Sequence, residues 1–362
     1  MLKPQHQKSD SALSRMQRCA AAGAGTALAL GCLACVVLAG DHAPIPTSDH
    51  FDGKRFFNPG EKKPQGFKEF LTWVRNRQQG PWGKWVDITP GPPPEACING
   101  DALNITYINH STFLIQTSGL NILIDPIWSK RCSPVSFTGP KRVHAPGIRF
   151  EDLPRIDAVL ISHNHYDHMD IPTLKRLHKK FAPRIYVPLG NRRTLKRHGM
   201  NDVVEMDWWD EQPLNEGLTL ACVPARHFSS RGMWDQRKSL WSGFVIEGGT
   251  GAVYIAGDTG FGPHFDQIAK RFNNISVALL PIGAFLPEWF MQPHHLSPKD
   301  ALRAHDILNA RTSIATHFGT FPLGDDGQHE PEEALADALK NHPLKTTRFL
   351  LPQPGQTFID IH

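Results

Sequence analysis

Outside an apolar N-terminal run the chain has no Cys-x-x-Cys pair, and it has no sizeable excess of charge of either sign. Three of its six cysteines, Cys19, Cys32 and Cys35, fall inside one apolar N-terminal run. The other three, Cys97, Cys132 and Cys222, are isolated and odd in number, which argues against a disulfide framework and for free thiols. The formal net charge is only +4 and the surplus is scattered, so a nucleic-acid partner is not indicated. No short-period repeat and no internal boundary divide residues 101–362, which therefore read as one domain. With 362 residues, 40% of them hydrophobic, the chain can bury a sizeable core. What it has in quantity is histidine, 19 in all, which raises metal or acid-base chemistry before any motif is read.

The run "CAAAGAGTALALGCLACVVLAG" at 19–40 carries no charge and is long enough to cross a bilayer as a helix. Lys3, Lys8, Arg15 and Arg18 precede it and Asp41 follows, so residues 1–40 read as a signal peptide or membrane anchor with its N-terminus in the cytoplasm. The expectation is that the domain that follows is membrane-anchored or exported into the periplasm. An uncleaved anchor, cleavage near Ala39 or Gly40, and acylation at Cys32 in the imperfect lipobox "LALGC" all remain open.

Residues 41–100, punctuated by proline and glycine, read as an arm holding one short amphipathic helix in "FKEFLTWVRNR". Phe67, Phe70, Leu71 and Val74 recur there at helical spacing, which predicts packing on a neighbouring element rather than contact with lipid. From residue 101 short apolar strands take over. "LNITYIN" (103–109), "TFLIQT" (112–117) and "NILID" (121–125) suggest an antiparallel meander, and "IDAVLIS" (156–162) suggests a buried strand. A helix capped by Asp170 follows, and further strands are expected at 184–188, 218–225, 242–247, 252–258, 277–283, 312–317 and 348–360. Helices at 190–198, 263–271, 298–309 and 331–340 separate several of them. Such alternation implies packed sheets covered by helices, an α/β layered sandwich whose two halves could be pseudo-duplicated.

The densest chemistry lies in "SHNHYDHMD" (162–170). His163 and His165 alternate at strand-end spacing, and Asp167 with His168 falls in the turn that opens the next helix. Imidazoles and a carboxylate suit a zinc-type cation, and four candidate ligands within six residues fit two adjacent metals better than one closed site. Partners from elsewhere are then required. His227 in "PARHFSSRG", Asp258 in "YIAGDTG" and His317 in "IATHFGTF" each follow an expected strand, although singly each could be an ordinary surface or turn residue.

Taken in that order, these residues resemble the metallo-β-lactamase superfamily. The flanking segments "HFDGKRFFNPG", "LIDPIWSKRCSPVSFTGPKRVHAPGI", "GDTGFGPHF", "PIGAFLPEWFMQPHHLSP" and "THFGTF" resemble the N-acylphosphatidylethanolamine-hydrolysing phospholipase D family and its bacterial members, from about His50 to the C-terminus. The resemblance implies a four-layered αβ/βα sandwich with two Zn2+ ions at the sheet edges. One would take His163, His165 and His227; the other Asp167, His168 and His317; Asp258 would bridge them, and Asp125 would support the metal loop from behind. Two such charges lower the pKa of a water towards ~7, with Asp167 or Asp258 orienting it. The implied reaction releases N-acylethanolamine and leaves phosphatidic acid, with a phospholipid substrate met at a membrane surface.

The resemblance also makes His295 a substrate-contacting residue. From the residues alone, His294 and His295 precede a helix opening at Ser297-Pro298, whose N-terminus could help hold a phosphate oxygen, and a solvated histidine pair stays open. Phe285, Trp289, Phe290 and Met291 could floor an acyl-chain groove or be core. Arg131, Lys141 and Arg142 could meet anionic headgroups or simply be solvated. A metal-dependent hydrolase of another ester, lactone or phosphodiester is the alternative reading, since a fold does not choose its substrate. Oligomeric state is not legible.

Overall fold

A computed structural model describes residues 45–361 apart from 62–65, 233, 250, 343, 345 and 346. The apolar run at 19–40 lies outside the described residues. Among the described residues no helix is long and apolar enough to cross a membrane.

Two seven-stranded sheets form the frame. The first carries β1 (Asn104–Asn109), β2 (Thr112–Thr117), β3 (Leu120–Ile124), β4 (Ala158–Leu160), β5 (Arg184–Pro188) and β6 (Val203–Met206) in that order, with β14 (Thr357–Phe358) outside β1. The second runs β7 (Glu211–Pro213), β8 (Thr219–Val223), β9 (Gly243–Gly248), β10 (Gly251–Ile255), β11 (Ile275–Pro281), β12 (Thr312–Thr316) and β13 (Arg348–Leu350). In the first sheet the pairings from β14 to β3 are antiparallel and those from β3 to β6 parallel. The second repeats the pattern, antiparallel from β7 to β10 and parallel from β10 to β13. The two halves thus share one strand plan.

Period-two alternation sorts the side chains into layers. Phe113, Ile115, Ile122 and Ile124 face the layer shared with the second sheet, where they join Leu220, Cys222, Phe244 and Ile255. Their neighbours Leu114 and Leu123 face the other way, onto α2 (Ile171–Phe181) and α3 (Arg192–Arg197), with Leu174, Leu177 and Leu195. The outer face of the second sheet is covered by α4 (His264–Arg271), α6 (Pro298–Leu308) and α7 (Glu330–Asn341), through Phe265, Ile268, Leu302, Leu308 and Leu335. With both faces of each sheet covered, the strands read as near-continuous apolar runs. The result is the α/β sandwich expected from the sequence.

Several local expectations are corrected. The single strand expected over 348–360 is two, β13 and β14, in different sheets, because Pro352 and Pro354-Gly355 break it and the chain crosses to pair with β1. Strands β6 and β7 were not anticipated. Asp170 stands at the start of α2, yet its carboxylate accepts from the Ser129 and Thr173 hydroxyls rather than capping the helix, tying the 127–129 loop to it. The helix in the arm, α1 (Phe67–Arg75), does not bury its apolar stripe. Phe70, Leu71 and Val74 are 43%, 49% and 48% exposed, and the helix seats itself instead through Trp73, which stacks on Phe290 at 5.0 Å and donates to Asp325.

The rest of the 45–100 segment is fastened at named points. Asn58 donates to the carbonyl of His227 at 3.0 Å and accepts from Trp241, and Glu61 pairs with the buried Arg237 at 3.0 Å. His50 stacks on Trp208 and bonds Asp207 at 2.8 Å and Asp49 at 2.6 Å. Farther on, Gly91 donates to the carbonyl of Gly147, and both glycines press on Gly355.

Two outcomes follow from these contacts. A Cβ at Gly147 would run into the backbone of Pro354 and Gly355, so Gly147→Ala should lower unfolding stability by about 1–3 kcal/mol in denaturant titration, the scale of overpacking. Burial works against charge on His50, but its bonds to Asp207 and then Asp49 outweigh it and raise its pKa above 6.5. A raised folded pKa gives stability that is full below the unfolded value and lost as pH rises through the folded one. Asp207→Asn, which keeps an acceptor for the Trp208 N–H, should therefore lower Tm most below pH 6.5, with the gap to wild type closing as pH rises; a constant gap would contradict this.

Candidate metal centre

Strand direction puts the chemistry on one edge. β1, β3 and β4 run the same way in the first sheet, as do β8, β10 and β12 in the second, and the residues just beyond their C-terminal ends include His110, Asp125, His163, His227, Asp258 and His317. Left-handed backbone recurs there: φ is +50 at His110, +39 at Asp125, +60 at His317 and +61 at Gly257. Non-glycine residues hold such angles only where their surroundings enforce them. Gly257, before Asp258, lies so close to Ser162 and the Ser242 carbonyl that no side chain would fit.

The seven candidate ligands converge in two groups that share one carboxylate. His163, His165, His227 and Asp258 form the first, and Asp167, His168 and His317, with His110, form the second; a further set of Asp258, His295 and His317 overlaps both through Asp258 and His317. In the first, His165 Nδ1 lies 2.8 Å from His163 Nε2 and 3.1 Å from His227 Nε2. In the second, Asp167 Oδ2 lies 3.2 Å from His168 Nε2 and 3.3 Å from His317 Nε2. Asp258 Oδ2 stands between them, 3.2 and 3.1 Å from His168 and His317, and 3.8 and 3.7 Å from His163 and His227.

The outward nitrogens decide what faces inward. His227 Nδ1 donates to the His294 carbonyl at 2.9 Å, and His168 Nδ1 donates to Asp125 Oδ2 at 2.8 Å. Ser162 gives its own proton to Asp125 at 2.7 Å, so its hydroxyl accepts from His163 Nδ1 at 2.9 Å. With protons inferred at all three Nδ1 atoms, the Nε2 lone pairs point into the centre. His165 turns its Nδ1 to the Nε2 atoms of His163 and His227, and nitrogens this close require a shared proton or a cation among them. His168 Nε2 and Asp258 Oδ1 are buried with no hydrogen-bond partner, which fits a metal-binding set better than a hydrogen-bonded core.

Electrostatics agree. Burial, then neighbouring imidazoles, push His163 and His227 well below 6.5, and burial brings His165 to about 4, leaving the neutral rings that a metal requires. Burial opposes charge on Asp167 and Asp258, but His168 and the other imidazoles hold both well below the carboxylate range. Against burial, these carboxylates raise His168, and His317 to about 9. The carboxylates thus demand positive charge between them, which protons or metal ions can supply.

Asp125 stands behind the cluster as expected, accepting from Ser162 N–H at 2.8 Å as well as from Ser162 Oγ and His168. His294 and His295 take different tasks. His294 holds His227 through its carbonyl, while the His295 ring faces the centre, with Nδ1 4.0 Å from Asp258 and the side chain 13% exposed. The N-terminus of α6 is not an open phosphate cradle, because Ser297 accepts the Asp300 N–H and the acidic Asp300 occupies the first turn. Arg142 is no headgroup contact either. It is buried, gives its protons to Ser129 and Ile127 carbonyls and to Asn109, and is pulled down to about 10 by burial. Phe285 and Met291 are core, while Trp289 is 52% exposed.

Two residues in this architecture escaped the sequence reading. Arg231 donates to the carbonyls of Asn164 and Met169 and so braces the metal loop from below. His110 bonds Asp167 Oδ2 at 3.0 Å. The available signal for His110 was a histidine directly after a strand parallel to β4, which only the topology reveals.

Residues 120–318 match the family described as "Beta-lactamase superfamily domain". The chain is 36% identical over 264 residues to N-acyl-phosphatidylethanolamine-hydrolyzing phospholipase D 1 of Caenorhabditis elegans, covering 69% of this chain and 74% of that protein. It is 38% identical over 264 residues to an uncharacterised protein of Mycobacterium tuberculosis, covering 71% and 69%. Among solved structures, Igni18, a metallo hydrolase from Ignicoccus hospitalis, matches with a TM-score of 0.54 and 24% identity over 71% of this chain and 98% of that one. The isothiocyanate hydrolase from Delia radicum gut bacteria matches with a TM-score of 0.55 and 23% identity over 70% and 98%. These two likenesses concern the fold. Together with the metal-suited edge of the sandwich, the matches make this chain a metal-dependent hydrolase that belongs to the N-acylphosphatidylethanolamine-hydrolysing phospholipase D family of the metallo-β-lactamase superfamily.

Proposed function

We propose that the chain is a zinc-dependent phosphodiesterase that hydrolyses N-acylphosphatidylethanolamine-type phospholipids to N-acylethanolamine and phosphatidic acid. The observation that carries this reading is the pair of His/Asp groups with Asp258 standing between them, in a chain 36% identical to an enzyme bearing that name. His163, His165 and His227 would hold one ion, Asp167, His168 and His317 the other, with Asp258 between them. Bound there, two divalent cations supply a nucleophile at neutral pH and neutralise charge on a phosphoryl group.

The remaining work falls to side chains. Asp258 Oδ1, which has no hydrogen-bond partner among the described residues, and Asp167 are placed to orient the attacking water. His295, partly open to solvent at the rim, would hold a non-bridging phosphoryl oxygen. Water attacks phosphorus in line, the bond from phosphorus to the ethanolamine oxygen breaks, and the leaving oxygen takes up a proton. The exposed Phe70, Leu71 and Val74 of α1, with Trp289 of α5 (Glu288–Met291), support a substrate met at a lipid surface, since α1 and α5 touch through Trp73 and Phe290 and α5 leads directly into His294 and His295. The apolar run at 19–40 supports a domain anchored or exported into a bacterial periplasm.

His165→Ala and Asp258→Asn should each cut hydrolysis by at least about 100-fold, the scale of losing one preorganised electrostatic contact, with circular dichroism unchanged. Near-normal turnover with a full metal complement in either variant would refute the two-metal reading. Chelator-treated protein should lose activity and regain it with Zn2+. Given a panel of phospholipids with products identified by mass, the loaded enzyme should release phosphatidic acid from N-acylated phosphatidylethanolamine. Cleavage of a water-soluble lactone instead would favour the alternative hydrolase.

A further inference from the structure

His110 is the first of the two residues that close the β1–β2 hairpin, between the paired Asn109 and Thr112, and its φ is +50. A positive φ at that position is the province of glycine or asparagine, and a larger side chain there carries backbone strain. A buried imidazole in such a turn calls for a reason beyond the turn itself.

Its contacts supply one. Nε2 donates to Asp167 Oδ2 at 3.0 Å, the oxygen that also faces His168 and His317. The ring lies against that of His317, with centroids 4.2 Å apart, and the His110 carbonyl accepts the His317 N–H at 3.0 Å. On its other side the ring meets Phe321 edge-on at 5.3 Å, and its backbone N–H donates to Thr320 Oγ1 at 3.0 Å. One residue of the first sheet therefore fixes a carboxylate after β4 and an imidazole after β12. Among the described residues, His110 makes no hydrogen bond to His163, His165 or His227. The ring is near enough to join Asp167, His168 and His317 around an ion, but the Nε2 that gives its proton to Asp167 has no lone pair left for one, and the unpartnered Nδ1 lies on the other side of the ring from the Asp167 oxygen.

We propose that His110 is a positioning residue for one of the two metal positions, the one built from Asp167, His168 and His317, and that it aims Asp167 by hydrogen bond and His317 by packing without ligating the ion itself. This rests on the two-metal reading above. Outer partners that orient metal ligands set affinity in this way.

The test is titration of the metal-free full-length chain with Zn2+ against a chromophoric chelator, alongside thermal unfolding of the metal-free forms. Wild type should take up two equivalents. His110→Gln, whose terminal amide N–H reaches about as far as Nε2, should keep both. His110→Asn suits the positive φ but its amide stops short of Asp167, so it should keep one equivalent at wild-type affinity and bind the other about 10–100-fold more weakly. His110→Gly, which relieves the strain and carries no donor, serves with the same expectation if His110→Asn does not fold. Two equivalents of unchanged affinity in His110→Asn would overturn the proposal while leaving the two-metal reading intact. Equal loss of one position in the Gln and Asn variants would show that donation to Asp167 is not what holds that position, and equal weakening of both positions would make the role of His110 merely structural; either result overturns the proposal. A single equivalent in wild type would overturn the two-metal reading and this inference with it.

Discussion

The carboxylate of Asp125 is the contact on which the rest of the edge depends. Fixed in a left-handed bend at the end of β3, it accepts three protons: from the Ser162 backbone, the Ser162 hydroxyl and His168 Nδ1. The Ser162 hydroxyl, its proton thus committed, can only accept from His163. One buried anion therefore fixes the ring state of a candidate ligand in each group. A carboxylate at this depth is costly unless fully bonded, and full bonding is what makes it a directional device.

The shared strand plan of the two sheets explains why such a device is enough. Three antiparallel steps followed by three parallel ones, carried out twice, bring the C-terminal ends of β1, β3 and β4 to the same edge as those of β8, β10 and β12. Short strand-end segments then need only turn their side chains inward. The first sheet contributes His163, His165, Asp167 and His168, and the second contributes His227, Asp258 and His317. Each group mixes donors from both sheets.

How much of this was legible in the sequence depended on distance along the chain. The four donors of "SHNHYDHMD" stand within six residues, so their number alone speaks for a cation. His227, Asp258 and His317 are each separated from that cluster by scores of residues and were legible as strand-end residues and through the family resemblance. His110 was not legible, because a lone histidine in a two-residue turn gains its meaning only once β1 is seen beside β3 and β4 in direction. Arg142 failed for the opposite reason. Charge in a sequence reads as surface, and nothing local announces that Ser129, Ile127 and Asn109 will cage a guanidinium. In α1, periodicity located the apolar face but could not say what lies opposite it, and there the stripe faces outward. The 348–360 stretch is rich in strand formers on both sides of its prolines, so sequence pattern joined what chain crossing divides.

The mixed parentage of each group gives the apolar layer between the sheets a second meaning. Phe113 and Ile124 on one side and Phe244 and Ile255 on the other fill that layer, and packed sheets stand about 10 Å apart because of such side chains. The layer acts as a spacer that sets how far His163 stands from His227, and Asp167 from His317. Residues many bonds removed from the chemistry thus gauge the width of both ligand groups, and a core substitution that lets the sheets settle closer would retune the metal centre as well as the stability of the fold.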